Sequence, residues 1–274
     1  METIQAVILG IIQGITEFLP ISSSGHLVIF QRLFGLKEPE LFFDVSVHIG
    51  TLAAVVIFFW KEIRSIIIAL FHFMKSFSKK EVSFGNIYED AEAKLALMIV
   101  IGSIPTGIIG LLLSKGADKI FSSVSITGSM LLINGLLLWS TRRINKEGTA
   151  DFSINKALLI GIVQGLAVIP GISRSGSTIT TAIFLGLNKE IAVRYSFLLS
   201  IPAIIGAEIL VLKDLSDPMI SFSATLMGTV SAFIIGYFSL KLLLYIVKKR
   251  QLHFFAPYCW IIGLVALFWG WQTP

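Results

Sequence analysis

The sequence predicts an all-α polytopic membrane protein: six full transmembrane helices plus two re-entrant helical hairpins arranged as inverted-topology repeats. Three observations carry that reading. The 274 residues are 55% hydrophobic, with a mean hydropathy of +0.85 and only 14% charged residues, against about 25% in an ordinary soluble domain. The apolar runs are long and continuous, unlike the alternating segments of about 10 residues in a membrane β-barrel. Two of the apolar segments are interrupted by Pro, Gly and Ser, and these two are copies of one another.

The full spans lie near 41–60, 95–113, 120–139, 192–212, 221–246 and 254–272, each close to the ~20 residues needed to cross a bilayer. The stretch "RSIIIALFHFMK" (64–75) has too short an apolar core to cross and reads as a helix lying in the interface. Segments 3–36 and 155–188 are the interrupted ones. A break at membrane depth is tolerated only inside protein or beside a water-filled cavity, so both read as helix–break–helix hairpins. The whole chain forms a single membrane domain with internal repeats over about 1–140 and 152–274.

A shift of 151 residues lays "AVILGIIQG" (6–14) over "ALLIGIVQG" (157–165) and "ISSSG" (21–25) over "ISRSG" (172–176). No gap is needed. Similarity between greasy helices would match Leu and Ile, whereas here Gly10, Gln13, Gly14, Ser22, Ser24 and Gly25 meet Gly161, Gln164, Gly165, Ser173, Ser175 and Gly176. Three full spans separate the hairpins. That odd number sends the second copy in from the opposite face and brings the two breaks together near the midplane. Lys61, Arg64, Lys75, Lys79, Lys80, Lys94, Arg142, Arg143, Lys146, Lys156, Lys248, Lys249 and Arg250 fall on one side; only Arg32, Lys37, Lys115, Lys119 and Lys213 fall on the other. The richer side is expected to be cytoplasmic, with both termini outside. Trp60 and Trp139 then mark the inner interface, Trp269 and Trp271 the outer one.

The net charge of +5 belongs to these basic loops and does not call for a nucleic-acid partner. The single cysteine, Cys259, rules out an intrachain disulfide and reads as a space-filling residue of an apolar run. No Lys or Arg precedes Arg32, so the N-terminus lacks the basic region of a signal peptide.

The chemistry shows where the copies disagree. Glu17 lies opposite Val168, Ser23 opposite Arg174, and His26 opposite Ser177. Both copies make a bend, so bending alone does not explain an acid, a hydroxyl and an imidazole in one and a guanidinium in the other. In "PGISRSGST" (170–178), Pro170 and Gly171 stop one helix, and Ser173 or Ser175 caps the next. A helix N-terminus suits an anion, Arg174 adds a planar fork for phosphate oxygens, and Ser173, Ser175, Ser177 and Thr178 add hydroxyl donors. The GxxxxGK[ST] spacing of a nucleotide-binding loop is missing. In the first break, a helix starting near Ser22 puts Ser23 and His26 on one face. A buried intramembrane Glu17 is functional by default. Gln13 and Gln164 recur in both copies, which leaves Gln13 between a structural and a functional role. His48 in "FDVSVHIG" reads as a satisfied polar partner of Asp44 one turn earlier, and Glu208 as a minor candidate for the cavity. A hydroxyl, an imidazole and a carboxylate facing a phosphate cradle make a hydrolase site.

At these residues the sequence resembles the bacterial undecaprenyl-diphosphate phosphatase family, also known for bacitracin resistance. The shared motifs are (E/Q)xxxE, here Gln13 to Glu17; the serine-rich turn Ser22, Ser23, Ser24, Gly25 and His26; and PGxSRSxxT, complete from Pro170 to Thr178. The likeness covers essentially the whole chain. It implies hydrolysis of a C55 polyprenyl diphosphate to the monophosphate plus inorganic phosphate, which recycles the lipid carrier of cell-wall synthesis in the plasma (inner) membrane. It also implies an essential set of Glu17, Ser23, His26 and Arg174 and an assisting divalent cation (Mg or Ca), for which Glu17 is the candidate ligand; the residues themselves make Gln13, Ser22, Gly171, Ser173, Ser175 and Thr178 the candidate substrate contacts. Gln13, an uncharged amide at the first motif position, weakens any ligand role there. A second lipid-phosphatase superfamily, of the phosphatidic-acid type, uses PSGH and SRxxxxxH. Here Ile179 and Thr180 stand where its histidine would lie, and that reading fails.

The mechanism these residues support has Ser23 attacking the terminal phosphorus with help from His26, and Glu17 orienting His26 or holding the cation. His26 as nucleophile is the alternative. The rival class is a polyprenyl-phosphate transporter, since inverted repeats with broken helices also build transporters. The expected partners are the lipid diphosphate and the bilayer, with a homodimer as the assembly.

Overall fold

The computed structural model describes residues 1–36, 41–79, 83–114, 123–144, 147–213 and 221–272. Within these, eleven α-helices run in the order α1 (Thr3–Phe18), α2 (Ser23–Leu33), α3 (Leu41–Phe58), α4 (Trp60–Ser78), α5 (Ala91–Ser114), α6 (Val124–Ser140), α7 (Ile154–Leu166), α8 (Arg174–Phe184), α9 (Lys189–Lys213), α10 (Phe222–Lys248) and α11 (Ala256–Gln272). Among the described residues there is no strand, only an isolated bridge from Thr149 to Leu187. Lys37, Lys80, Lys115, Lys119 and Lys146 of the charge-asymmetry argument lie outside the described residues.

Among the described residues, six helices are long and apolar enough to cross a membrane: α3, α5, α6, α9, α10 and α11. They fall on the six stretches read from hydropathy, with ends shifted by a few residues. Their outer faces carry large exposed side chains such as Ile57, Val100, Leu136, Ile209, Phe238 and Phe268. In water such a belt would drive association; in a bilayer it meets hydrocarbon. The protein is a multi-pass membrane protein. α4 follows α3 after Phe59 alone, extends beyond the expected 64–75, and buries only Ile66. α1 and α7, at 16 and 13 residues, are too short to span at ~1.5 Å per residue.

The 151-residue shift reappears in the helix ends. α1 begins at Thr3 and α7 at Ile154; α2 covers Ser23–Leu33 and α8 Arg174–Phe184. The contacts pair off the same way. α1 packs along α10 and α7 along α5; α3 packs on α10 and α9 on α5; α6 packs on α11, and α3 on α9. Backbones come close where the duplicated glycines sit. A Cβ on Gly10 would lie 2.2 Å from the Gly228 carbonyl oxygen, and one on Gly161 would lie 2.1 Å from that of Gly102. Small residues permit this approach where no hydrophobic drive separates helix from lipid. Around these contacts "GSIPTGIIG" (102–110) matches "GTVSAFIIG" (228–236), an internal likeness beyond the two hairpins.

The core is apolar below and above the breaks. Phe18, Phe59, Tyr195 and Phe197 gather in one cluster and Leu9, Leu27, Phe43 and Val47 in another. The breaks themselves are ringed by buried polar groups: Gln13, Glu17, Ser22, His26, Asn134, Ser173, Ser175 and Thr178.

Candidate active site

The two breaks interlock. Gly171 N–H donates to Ser22 Oγ at 3.0 Å, and Ser175 Oγ donates to the Phe18 carbonyl at 2.9 Å. Asn134, midway along α6, clamps both. Its Nδ2 donates to the Pro20 carbonyl at 2.9 Å, and its Oδ1 accepts from Ser173 N–H at 3.1 Å. One amide side chain thus satisfies a backbone group in each bend, where an unpaired one would cost about 1–3 kcal/mol. Asn134 Nδ2 also lies 3.4 Å from Cys259 Sγ, so the buried thiol borders the first bend rather than simply filling a gap.

Each bend leads into a capped helix. Ser22 Oγ accepts from Gly25 N–H at 3.3 Å, and Ser173 Oγ accepts from Gly176 N–H at 3.1 Å, the Ser N-cap pattern. The bends nevertheless turn differently. In the second, the left-handed residue is Gly171 (φ +98°); in the first it is Ser22 (φ +72°). The residue matching Gly171 is Pro20, whose ring holds φ near −65° and forbids that conformation. The turn is displaced onto a serine, a costly φ for a side chain with a Cβ. His26 Nδ1, 2.7 Å from the Ser22 carbonyl, helps to hold it.

Glu17 is the centre. Ser23 Oγ donates to Glu17 Oε2 at 2.6 Å, and Gln13 Nε2 donates to the same oxygen at 3.1 Å. Arg174 NH2 donates to Oε1. The guanidinium that opens α8 therefore meets the acid that closes α1, 157 residues away in sequence. Arg174 NH1 and Gln13 Oε1 are buried without a hydrogen-bond partner among the described residues. Such groups are rare and costly unless something completes them. Gln164 instead donates to the Leu199 carbonyl at 3.1 Å, so the shared glutamines have parted: one serves the carboxylate, the other the backbone.

His26 does not join Glu17 or Ser23, contrary to the relay read from the sequence. Its Nδ1 faces the Ser22 carbonyl, which only accepts, so Nδ1 carries the proton and Nε2 is paired with Tyr258 Oη at 2.7 Å. Ser23 and His26 share a helix face, yet their side chains serve different neighbours. The hydroxyls read as a phosphate cradle are likewise engaged. The Ser175 proton goes to Phe18 O, which leaves Ser173 to donate to Ser175 Oγ at 3.2 Å. Thr178 Oγ1 donates to the Arg174 carbonyl at 2.7 Å. Ser22 Oγ receives two N–H groups. A hydroxyl has one proton, so Ser173, Ser175 and Thr178 here stabilise the bend that presents Arg174.

Three contributors escaped the sequence reading. Asn134 sits as a lone amide in "LLINGLLLW", and that isolation was the available signal. Tyr258 lies 232 residues from His26 and gave none. His48 donates from Nδ1 to the Asp44 main-chain carbonyl at 2.8 Å, while the Asp44 carboxylate accepts from Gln31 at 2.6 Å. The imidazole thus remains turned toward Glu17 and Glu208, 3.8 Å from each.

A divalent cation fits this donor set poorly. Hard cations take several oxygen ligands. Both Glu17 oxygens already accept from Ser23, Gln13 and Arg174, and no group of three or more His, Cys, Asp or Glu gathers for a metal among the described residues.

A carboxylate that accepts a hydrogen bond from a serine hydroxyl, next to a guanidinium with an unused N–H, inside a bundle of membrane-length helices, fits the class of an integral-membrane phosphoryl hydrolase. The chain belongs to the bacitracin resistance protein BacA family, which it matches over residues 6–265. It is 48% identical over 273 residues to the undecaprenyl-diphosphatase of Desulforapulum autotrophicum, covering 98% of this chain and 99% of that one. It is 51% identical over 278 residues to that of Desulfosudis oleivorans, again covering 98% and 99%. The undecaprenyl-diphosphatase of Desulfatibacillum aliphaticivorans is 50% identical over 273 residues, with 97% and 98% covered.

Proposed function

We propose that this chain hydrolyses undecaprenyl diphosphate to undecaprenyl phosphate and inorganic phosphate, with Ser23 as nucleophile and Glu17 as its base. The observation that carries the mechanism is the chain Ser23–Glu17–Arg174: the hydroxyl hydrogen-bonds one carboxylate oxygen at 2.6 Å, and the guanidinium holds the other. As Ser23 Oγ attacks the terminal phosphorus, its proton passes to Glu17 Oε2. The bond from phosphorus to the bridging oxygen breaks, and its electron pair leaves on the lipid monophosphate. Arg174, through NH1, stabilises charge on the phosphoryl oxygens. Glu17 hands the Ser23 proton to the departing lipid monophosphate, takes one from the water that attacks the phosphoserine, and returns it to Ser23 Oγ as inorganic phosphate leaves. His26 has both ring nitrogens engaged; its place in this reading is to hold the strained Ser22 from which Ser23 follows.

The prenyl tail stays in lipid while the diphosphate enters between the breaks. We further read the hairpins as re-entrant and the two halves as inverted repeats in the plasma membrane, with both termini outside. The matched helix ends, the exchanged contacts and the paired glycines support that architecture, and the basic-residue asymmetry supports the orientation. The transporter alternative finds no support among the relatives. Purified protein releasing inorganic phosphate from a polyprenyl diphosphate in detergent is the expected result. Lipid movement across liposomes without phosphate release would overturn the reading.

A further inference from the structure

We propose that His48 is a positioning residue that takes hold of Glu17 when substrate draws Arg174 away, with Glu208 anchoring the imidazole from behind. The inference rests on the reading of Glu17 as the base for Ser23. In the structure Arg174 NH2 is committed to Glu17, while NH1 is buried and unpartnered. A two-pronged grip on phosphate uses a pair of neighbouring N–H groups. A grip that pairs NH1 with NH2 draws on the same nitrogen that holds Glu17, and so loosens that hold. A carboxylate left without a cation in a membrane interior is strongly disfavoured. A freed Glu17 would also swing away from Ser23.

The second hold is already in place on the other side. His48 Nε2 lies 3.8 Å from Glu17 Oε2, too far for a hydrogen bond and near enough for an ion pair. Its Nδ1 is fixed as a donor by the Asp44 carbonyl at 2.8 Å, and Glu208 Oε1 stands 3.8 Å from that nitrogen. Asp44 and Glu17 come from α3 and α1, Glu208 from α9; the Asp44 carboxylate is turned to Gln31. With Nδ1 carrying a proton, an Nε2 aimed at a carboxylate oxygen is favourable only as a donor. The order Arg174, Glu17, His48, Glu208 alternates positive and negative, so one cation can leave Glu17 for the ligand without stranding it.

The test is turnover of polyprenyl diphosphate by His48→Leu and His48→Gln, with melting temperature measured alongside. Leu matches the size of the imidazole but donates nothing; Gln keeps a donor. His48→Leu is expected to lose about ten- to a hundredfold in kcat, as a misplaced catalytic group does, with KM within about twofold of the original. His48→Gln is expected to restore most of that rate. Glu208→Gln should lower kcat by a few-fold in the original chain and leave the rate of His48→Gln unchanged. That second comparison also decides the matter should His48→Leu fail to fold. Equal rates for Leu and Gln, or a loss confined to KM, would overturn the proposal, because a packing role favours Leu in an apolar bundle. Glu17→Gln is the separating control. If it is inactive while His48→Leu keeps the original kcat, only the positioning role is lost; if it retains the original kcat, the assignment of the base itself fails.

Discussion

The two bends begin as copies and end as opposites. Both stop a helix, cap the next with a serine at the same offset, and present that helix's N-terminus to the other bend. The first places its left-handed turn on Ser22 because Pro20 blocks the position that Gly171 uses in the second. Ser23 heads α2 at the offset where Arg174 heads α8, and it rests against Glu17. The second bend has a glycine to absorb the turn and is tied by its own hydroxyls, and it offers only Arg174. The difference teaches that duplication supplied the scaffold and divergence divided the labour. One bend holds the Ser23–Glu17 pair beside a strained serine turn; the other holds Arg174 on a satisfied frame.

Breaking the first bend's chemistry should have the largest effect. Ser23→Ala and Glu17→Gln are each expected to lower kcat by about 10³-fold or more, since nucleophile and base act as a unit, while thermal stability of the purified protein changes little for Ser23→Ala. Breaking the second bend's contribution comes next. Arg174→Lys keeps the charge but loses the planar fork, and about a 10²-fold loss in kcat is expected from steady-state phosphate release. A structural lesion in the second bend follows. Gly171→Ala puts a Cβ 2.3 Å from the Thr127 carbonyl oxygen at a φ of +98°, and should lower the melting temperature more than Ser22→Gly, which relieves its own φ while losing an acceptor. Cutting the clamp between the bends, Asn134→Leu should destabilise by about 2 kcal/mol through two backbone groups left unpaired, read as a lower melting temperature with activity lost in parallel. Smallest is Gln13→Leu, which removes one of three donors to Glu17; a drop of roughly tenfold or less is expected.

The six spans were legible because length and hydropathy are properties of a contiguous stretch, and the bends because Pro20, Pro170 and Gly171 punctuate it. Disagreement between the copies singled out Glu17, Ser23, His26 and Arg174, and the structure brings Glu17, Ser23 and Arg174 into direct contact. His26 was misjudged in its partners. Its spacing from Ser23 was right, but spacing along a helix does not reveal Tyr258 on α11. His48 was hidden by a sufficient local explanation, Asp44 one turn away, which accounts for one ring nitrogen and leaves the other free to face Glu17. The cradle hydroxyls were over-read for a related reason. A serine that caps a helix and a serine that donates to phosphate look alike in sequence, and only the neighbours decide where its single proton goes.

The central claim is that Ser23, not His26, attacks phosphorus. Rapid quench of the enzyme turning over substrate labelled in the terminal phosphate, followed by mapping of the label, tests it directly. The account predicts an acid-stable phosphoserine on the peptide carrying Ser23, absent from Ser23→Ala. An acid-labile label on His26 that persists in Ser23→Ala would contradict it.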